Sequence, residues 1–388
     1  MADVKLRADP AADLRPMDEA ALAAAVAQAE GPLRIIGGGT RPVGRPVAGQ
    51  VLSTAGLSGI RLYEPGALTL VAGAGTPLAE VEAALAGEHQ RLPFEPMDHR
   101  ALLGTDGAPT LGGMVAANAS GPVRMLRGAC RDSLIGVRFV DGTGRAVSNG
   151  GRVMKNVTGY DLVKLMAGSW GTLGVLTEVS FKLLPCPETV AVLRCGGLDD
   201  AAAIRALTAA LATPFEVTGA AHLQLGADGA PVTMIRIEGF EQSVSYRAGQ
   251  LRAALAEFGS FELEADPARA AADWADLRDV RGFAGAPGDV WHLSTVPGDA
   301  PGLVARLPGA RAQYDWGGGR VWLLVPEGED VRAKIGPFKG HATLVRASEA
   351  TRTRIPSFPP EPAPVARLSA DLRHRFDPRG ILNPGLMD

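Results

Sequence analysis

Residues 34–40 read RIIGGGT and residues 109–121 read PTLGGMVAANASG, and the fold turns on how this pair is read. The first stretch sets three glycines directly after a short apolar run that reads as a buried strand. Successive N–H groups exposed in such a turn can converge on phosphate oxygens, and the missing side chains let a pyrophosphate lie against the backbone. This is not the Rossmann fingerprint, which needs G-x-G-x-x-G opening a helix. Here Arg41, Pro42, Arg45 and Pro46 follow, and a chain with prolines so placed does not start a helix. Taken alone, the turn reads first as a strained surface loop. The second stretch joins a glycine pair to small residues that let a backbone approach a ligand, with Asn118 and Ser120 able to meet a ribityl chain or a phosphate. Alone it is equally a tight helix–helix contact; its order after the first loop is what counts.

Upstream, residues 18–30 read as a helix opened by an acidic residue and closed at Gly31. Between the two loops come a strand at 68–71, a helix at 78–86 and the Pro-rich turn PFEPMDH at 93–99. A third segment, 150–185, runs from glycine turn to helix to glycine turn to strand. Lys155 and Asn156 there can reach a flavin edge or phosphate, and residues 171–175 can offer backbone amides to a ring system; plain α/β architecture explains the same pattern. Beyond residue 190 the texture changes. A strand (190–194), a helix (201–211), two strands (216–223 and 232–238), a helix (243–258) and a strand (261–264) spell βαββαβ, the ferredoxin-like order. Weaker signals at 273–280, 290–295 and 320–324 precede the Pro-rich linker IPSFPPEPAP and a tail ending ILNPGLMD, which is expected to return to the first domain. No repeat shows at a fixed period. The expected division is 1–187 with a subdomain boundary near 60, then 188–352, then 353–388.

Composition narrows the function. With 388 residues, 46% of them hydrophobic, and a mean hydropathy of +0.08, the chain can fill two or three ordinary cores. A net charge of −3 and a pI near 6.1 give no basic footprint for nucleic acid. Three scattered cysteines (Cys130, Cys186, Cys195) make neither a disulfide framework nor a cluster motif, which suits a reducing cytoplasm. The N-terminus lacks a signal-peptide pattern and no run of about 18 apolar residues occurs, so an association with the inner membrane would come through partner subunits.

GGGT, TLGGMVAANASG, NVTGYDLVKLMAGSWGTLG and FDPRGILNPG resemble, in that order, the four signature stretches of FAD proteins with the vanillyl-alcohol-oxidase fold. Within that group, KNVTGYDL and YDWGGGRVWL look most like the FAD-binding E subunits of glycolate oxidases. The resemblance implies an α+β protein: a PCMH-type FAD-binding domain of two α/β subdomains plus a ferredoxin-like cap. It implies FAD held by Gly37, Gly38, Gly39, Thr40 and Arg41, by Pro96, and by Thr110, Leu111, Gly112, Gly113, Ala117, Asn118, Ser120 and Gly121. Gly128, Arg131, Lys155, Gly174, Val175 and Asn383 complete the set. Relatives that bond flavin covalently commonly place a histidine where this chain has Thr40, so the FAD is expected to be non-covalent.

The pattern also departs from its larger relatives. They carry a cap motif similar to H-x-G-D-G-N-x-H that supplies metal ligands and a base; this chain has none, and its six histidines (His89, His99, His222, His292, His341, His374) are not paired at metal-ligand spacing. Trp170 stands where relatives read G-S-E-G-T-L-G. Oxidising a 2-hydroxy acid needs a base within about 3 Å of the hydroxyl. His292 and His341 are the candidate bases and Arg320 a candidate carboxylate binder, although packed imidazoles and a surface arginine explain them as well. Two functions stay open: a self-sufficient hydroxy-acid dehydrogenase or oxidase, and an electron-relaying subunit beside a larger catalytic FAD subunit and an iron–sulfur subunit. A flavin reductase acting on an enolpyruvyl sugar is a third.

Overall fold

The computed structural model describes residues 13–151, 159–226, 228–264 and 266–388; Lys155 and Asn156 lie outside them. The first helix among the described residues is Glu19–Gln28, which Asp18 caps by accepting from the Ala21 N–H. The strands Leu33–Ile36 and Gln50–Ser53 then pair in parallel. A second sheet is antiparallel, in the order Ile60–Glu64, Thr69–Gly73, Val175–Lys182, Leu134–Val140, Ala146–Gly150. Leu22 and Val26 from that helix and Leu33 and Leu52 from the small sheet meet Val140 and Val175 from the large one, and Ile381 and Leu382 of the tail close that cluster. The tail is tied down by main chain and side chain together: the Leu33 N–H donates to the Ile381 carbonyl, and the Ile35 N–H donates to Oδ1 of Asn383 at 2.8 Å.

The cap is one antiparallel sheet of eight strands, ordered Glu262–Glu264, Thr189–Gly196, Val232–Gly239, Val217–Leu223, Arg311–Asp315, Arg320–Val325, Asp289–Thr295, Gly340–Arg346. The first four, with the helices Asp200–Leu211 and Glu241–Ala254, are the βαββαβ unit read from sequence. The last four, with the helices Ala300–Val304 and Val331–Ile335, repeat that topology. One ferredoxin-like unit is therefore corrected to two, and the expectation of no repeat gives way to a repeat of topology. The units join through a short seam in which only His222 with Tyr314 and Leu223 with Gln313 stand in register. Side chains stitch the rest: Tyr314 Oη donates to Asp200 at 2.6 Å, Gln224 donates to the same carboxylate, and the Ala312 N–H donates to Gln224 at 2.7 Å.

Strand alternation explains what faces the FAD-binding half. Trp291, Leu293, Val321 and Leu323 point into the main cap core, so Val290, Trp322 and Leu324 point the other way, against Val43, Met97 and Leu102. Each leucine or valine so buried contributes roughly 1.5–3 kcal/mol. The same face carries charge. Arg236, 4% exposed, grips Glu95 with both nitrogens at 2.8 and 2.9 Å, and Arg91 pairs with Glu238 at 2.7 Å.

Glu95 also accepts from the Val123 N–H. Glu95→Ala leaves the buried Arg236 with Glu238 alone, at 3.4 Å, and is expected to cost about 2 kcal/mol for the charged hydrogen bonds lost, read as a lower denaturation midpoint. Glu95→Gln, which keeps an acceptor but not the charge, should fall between the two.

Candidate functional site

The loop after Leu33–Ile36 lies main chain against main chain on residues 107–110. A Cβ on Gly38 would overlap the Ala108 carbonyl oxygen, while Gly39 sits at φ +70° with nothing within 4 Å of an added Cβ. Close approach demands the first glycine and left-handed backbone the second. In consequence the N–H groups of Gly37, Gly38, Gly39 and Thr40 donate to no acceptor among the described residues. Four consecutive free amides at a turn form an anion cradle.

They open onto a cavity of about 930 Å³. Of the residues expected from sequence, Gly37, Gly38, Gly39, Thr40, Arg41, Thr110, Gly112, Gly113, Gly174, Val175 and Asn383 line it. Thr110 caps the helix Leu111–Ala116 by accepting from the Gly113 N–H, and Leu111 itself turns into the core. Asn383 spans the cavity's floor, with Nδ2 donating to the Trp170 carbonyl at 2.8 Å. Sequence reading missed Arg34, Arg45 and Arg352, which also line the cavity, and treated Trp170, another lining residue, only as a departure. Arg45 follows the glycine loop closely enough to have been read with it; Arg352 has no local signal. The free amides, the large volume and four lining arginines against one carboxylate, Glu349, fit a dinucleotide whose diphosphate is anionic.

The other expected residues that are described form a second group, of which Ser120 and Gly121 meet the cap. Ser120 accepts from the Cys130 N–H, Asn118 from the Arg131 N–H, and both lie with Ala117 and Gly121 in one loop. Gly128 turns the chain before Arg131, at φ +84°, and Pro96 is buried beside Met97. Onto this loop press the cap residues: Trp316 Nε1 donates to the Gly121 carbonyl, and Arg320 Nη1 to the Ser120 carbonyl, each at 3.0 Å. The Arg320 guanidinium lies over the rings of Trp316 and Trp322, at 4.8 and 4.5 Å. Arg320 is thus a buried residue, not a surface one, and burial lowers its pKa to about 10, leaving it charged at neutral pH. His292 packs 5.1 Å from Trp322, ring to ring, with its Nε2 buried and unpartnered. Burial, helped by Arg320, holds its pKa well below the usual imidazole range. His341 lies beyond it, 6.4 Å away between ring centroids and exposed. None of Arg320, His292 and His341 lines the cavity.

His99, unassigned from sequence, links the two groups. Arg41 Nε stands 3.0 Å from its Nδ1, and burial together with Arg41 holds its pKa well below the usual imidazole range. Among the described residues no three His, Cys, Asp or Glu side chains gather at metal-binding range, and no helix is long and apolar enough to cross a membrane.

Known proteins resemble this chain over part or most of its length. A family model for an FAD binding domain matches residues 10–150. Glycolate oxidase subunit GlcE of Escherichia coli (strain K12) is 37% identical over 359 residues, 92% of each chain. D-lactate dehydrogenase of Archaeoglobus fulgidus is 32% identical over 165 residues, 42% of this chain and 35% of that one. Alkyldihydroxyacetonephosphate synthase has the same fold, with a TM-score of 0.67 at 17% identity, covering 95% of this chain and 76% of its own.

Two outcomes follow for the site. Gly38→Ala is expected to push residues 107–110 away by about the width of a methyl group, cost roughly 1–3 kcal/mol, and yield protein purified largely without flavin, read from the absorbance near 450 nm. Burial raises the Asp315 pKa to about 6 against the pull of Arg320. The folded state keeps that proton to about pH 6, whereas an unfolded aspartate loses it near 4. Asp315 therefore favours the fold most below about pH 4, and this contribution is lost as pH rises to about 6, up to about 3 kcal/mol in all. Asp315→Asn should gain on the wild type across that window in denaturant titrations.

Proposed function

Because the chain belongs to the glycolate oxidase subunit GlcE family, we propose that it is the FAD-binding subunit of a glycolate oxidase or dehydrogenase complex. That complex converts glycolate, and D-lactate as a second substrate, to the 2-oxo acid. In it this chain is an FAD-dependent oxidoreductase subunit that relays electrons. A larger FAD subunit oxidises the acid, and an iron–sulfur subunit carries electrons onward. The chain works in the cytoplasm, peripheral to the inner membrane through its partners. Bound non-covalently, FAD supplies a carrier that takes up an electron pair and passes electrons on. Gly37–Thr40 receive its diphosphate, and Thr110, Gly112, Gly113, Gly174, Val175 and Asn383 line its path.

The filled junction carries this reading. Trp316 and Arg320 of the cap press on residues 120–121, and Arg320, with Trp322 also against its guanidinium, spends a donor on the Ser120 carbonyl. A small acid entering there would have to displace a guanidinium already stacked between two indoles. The self-sufficient dehydrogenase keeps one observation on its side. His292 is held neutral with a free, buried Nε2, 5.1 Å from the ring that Arg320 covers, which is how a base beside a carboxylate binder would stand.

An anaerobic titration decides between them. The purified chain, watched near 450 nm, should stay oxidised on addition of glycolate or D-lactate and bleach once the larger subunit is added. Bleaching of the chain alone would sink the relay reading, and its loss in His292→Ala would then name the base.

A further inference from the structure

The arginines around the cavity divide by origin. Arg34, Arg41 and Arg45 belong to the glycine loop and its flanks, whereas Arg352 sits on the helix Glu349–Arg354, the first element after the cap's edge strand. Arg352 reaches back across the cavity to donate from Nη1 to the Pro42 carbonyl at 2.6 Å. That bond fixes the fork and leaves Nε buried without a partner; Nε of Arg45 is likewise buried and unpartnered. Neither guanidinium pairs with a carboxylate among the described residues, although the chain as a whole carries net charge −3. Two guanidiniums without a carboxylate partner line the same cavity as four free amides, a surplus of donors that an anion would complete.

We propose that Arg352 and Arg45 form a cationic jaw that closes on the diphosphate of the dinucleotide. The cofactor then ties the segment following the cap to the glycine loop. The inference rests on the cavity's being the FAD site and adds that the cap side contributes one of its anion ligands. A planar fork suits the task, since it can hold Pro42 with one nitrogen and phosphate oxygens with the others.

The test compares wild type, Arg45→Gln, Arg352→Gln and Arg352→Lys as holoproteins and after removal of flavin. FAD release is followed by the recovery of flavin fluorescence on dilution, and thermal midpoints are recorded with and without FAD, ADP or riboflavin. Each Gln variant should release FAD at least tenfold faster than wild type. Each should lose most of the midpoint rise that FAD and ADP produce, and leave the flavin-free midpoint and any riboflavin response unchanged. Arg352→Lys, which keeps the charge, should recover part of the loss. Unchanged release in both Gln variants overturns the proposal. So does an equal loss of midpoint with and without ligand, which would make Arg352 a purely structural tie to Pro42. Should Arg352→Gln fail to fold, Arg45→Gln, on a separate element, decides alone. A wild type that responds to neither FAD nor ADP would instead remove the cofactor reading of the cavity itself.

Discussion

Main chain packed on main chain, where Gly38 meets Ala108, is the contact on which the rest of the molecule depends. No side chain mediates it, so the spacing between the two loops is set by van der Waals radii and cannot be tuned by rotamer choice. That rigidity keeps four amides on the lining of one cavity unpaired among the described residues, a state a flexible loop would relax by bonding to itself. It also fixes where Thr110 starts its helix, and through that helix where the loop of residues 117–121 meets the cap.

The cap answers with charge held at low dielectric. Arg236 and Arg320 are both nearly buried, yet they are neutralised differently: Arg236 by the Glu95 and Glu238 carboxylates, Arg320 by two indole faces, a carbonyl and the distant field of Asp315. Arginine tolerates this because its charge is delocalised and weakly hydrated; a lysine in either place would lose more solvation and gain fewer directed bonds. The result is an interface locked by polar geometry over an apolar base, with little room for the cap to swing.

Legibility in the sequence followed the length of the signal. The first ferredoxin-like unit was readable because its helices, Asp200–Leu211 and Glu241–Ala254, are long enough to show a 3.6-residue period. Its twin was not. The helices Ala300–Val304 and Val331–Ile335 span barely more than a turn each, and the first is wrapped in prolines and glycines that read as loop. The glycine loops were readable as backbone that turns tightly or approaches something closely, but not the division of their residues between cavity and cap, since that depends on which way each loop packs. Arg352 was invisible for a different reason: it is 310 positions from Pro42, and only the return of the chain across the cavity brings them together. His99 likewise gains meaning only from Arg41, which burial forces against it.

The seam in the cap sheet has a consequence for how the domain bears load. Within each half, strands are zipped by ladders several residues long, whereas the halves share two registered residue pairs and a handful of side-chain bonds centred on Asp200. Tension across the sheet concentrates where the fewest bonds resist it. Apolar burial in one core common to both halves, not the ladder, therefore carries that load, and each half has its own anchor below: Arg236 on Glu95 for one, Arg320 on Ser120 and Arg346 on Leu102 for the other.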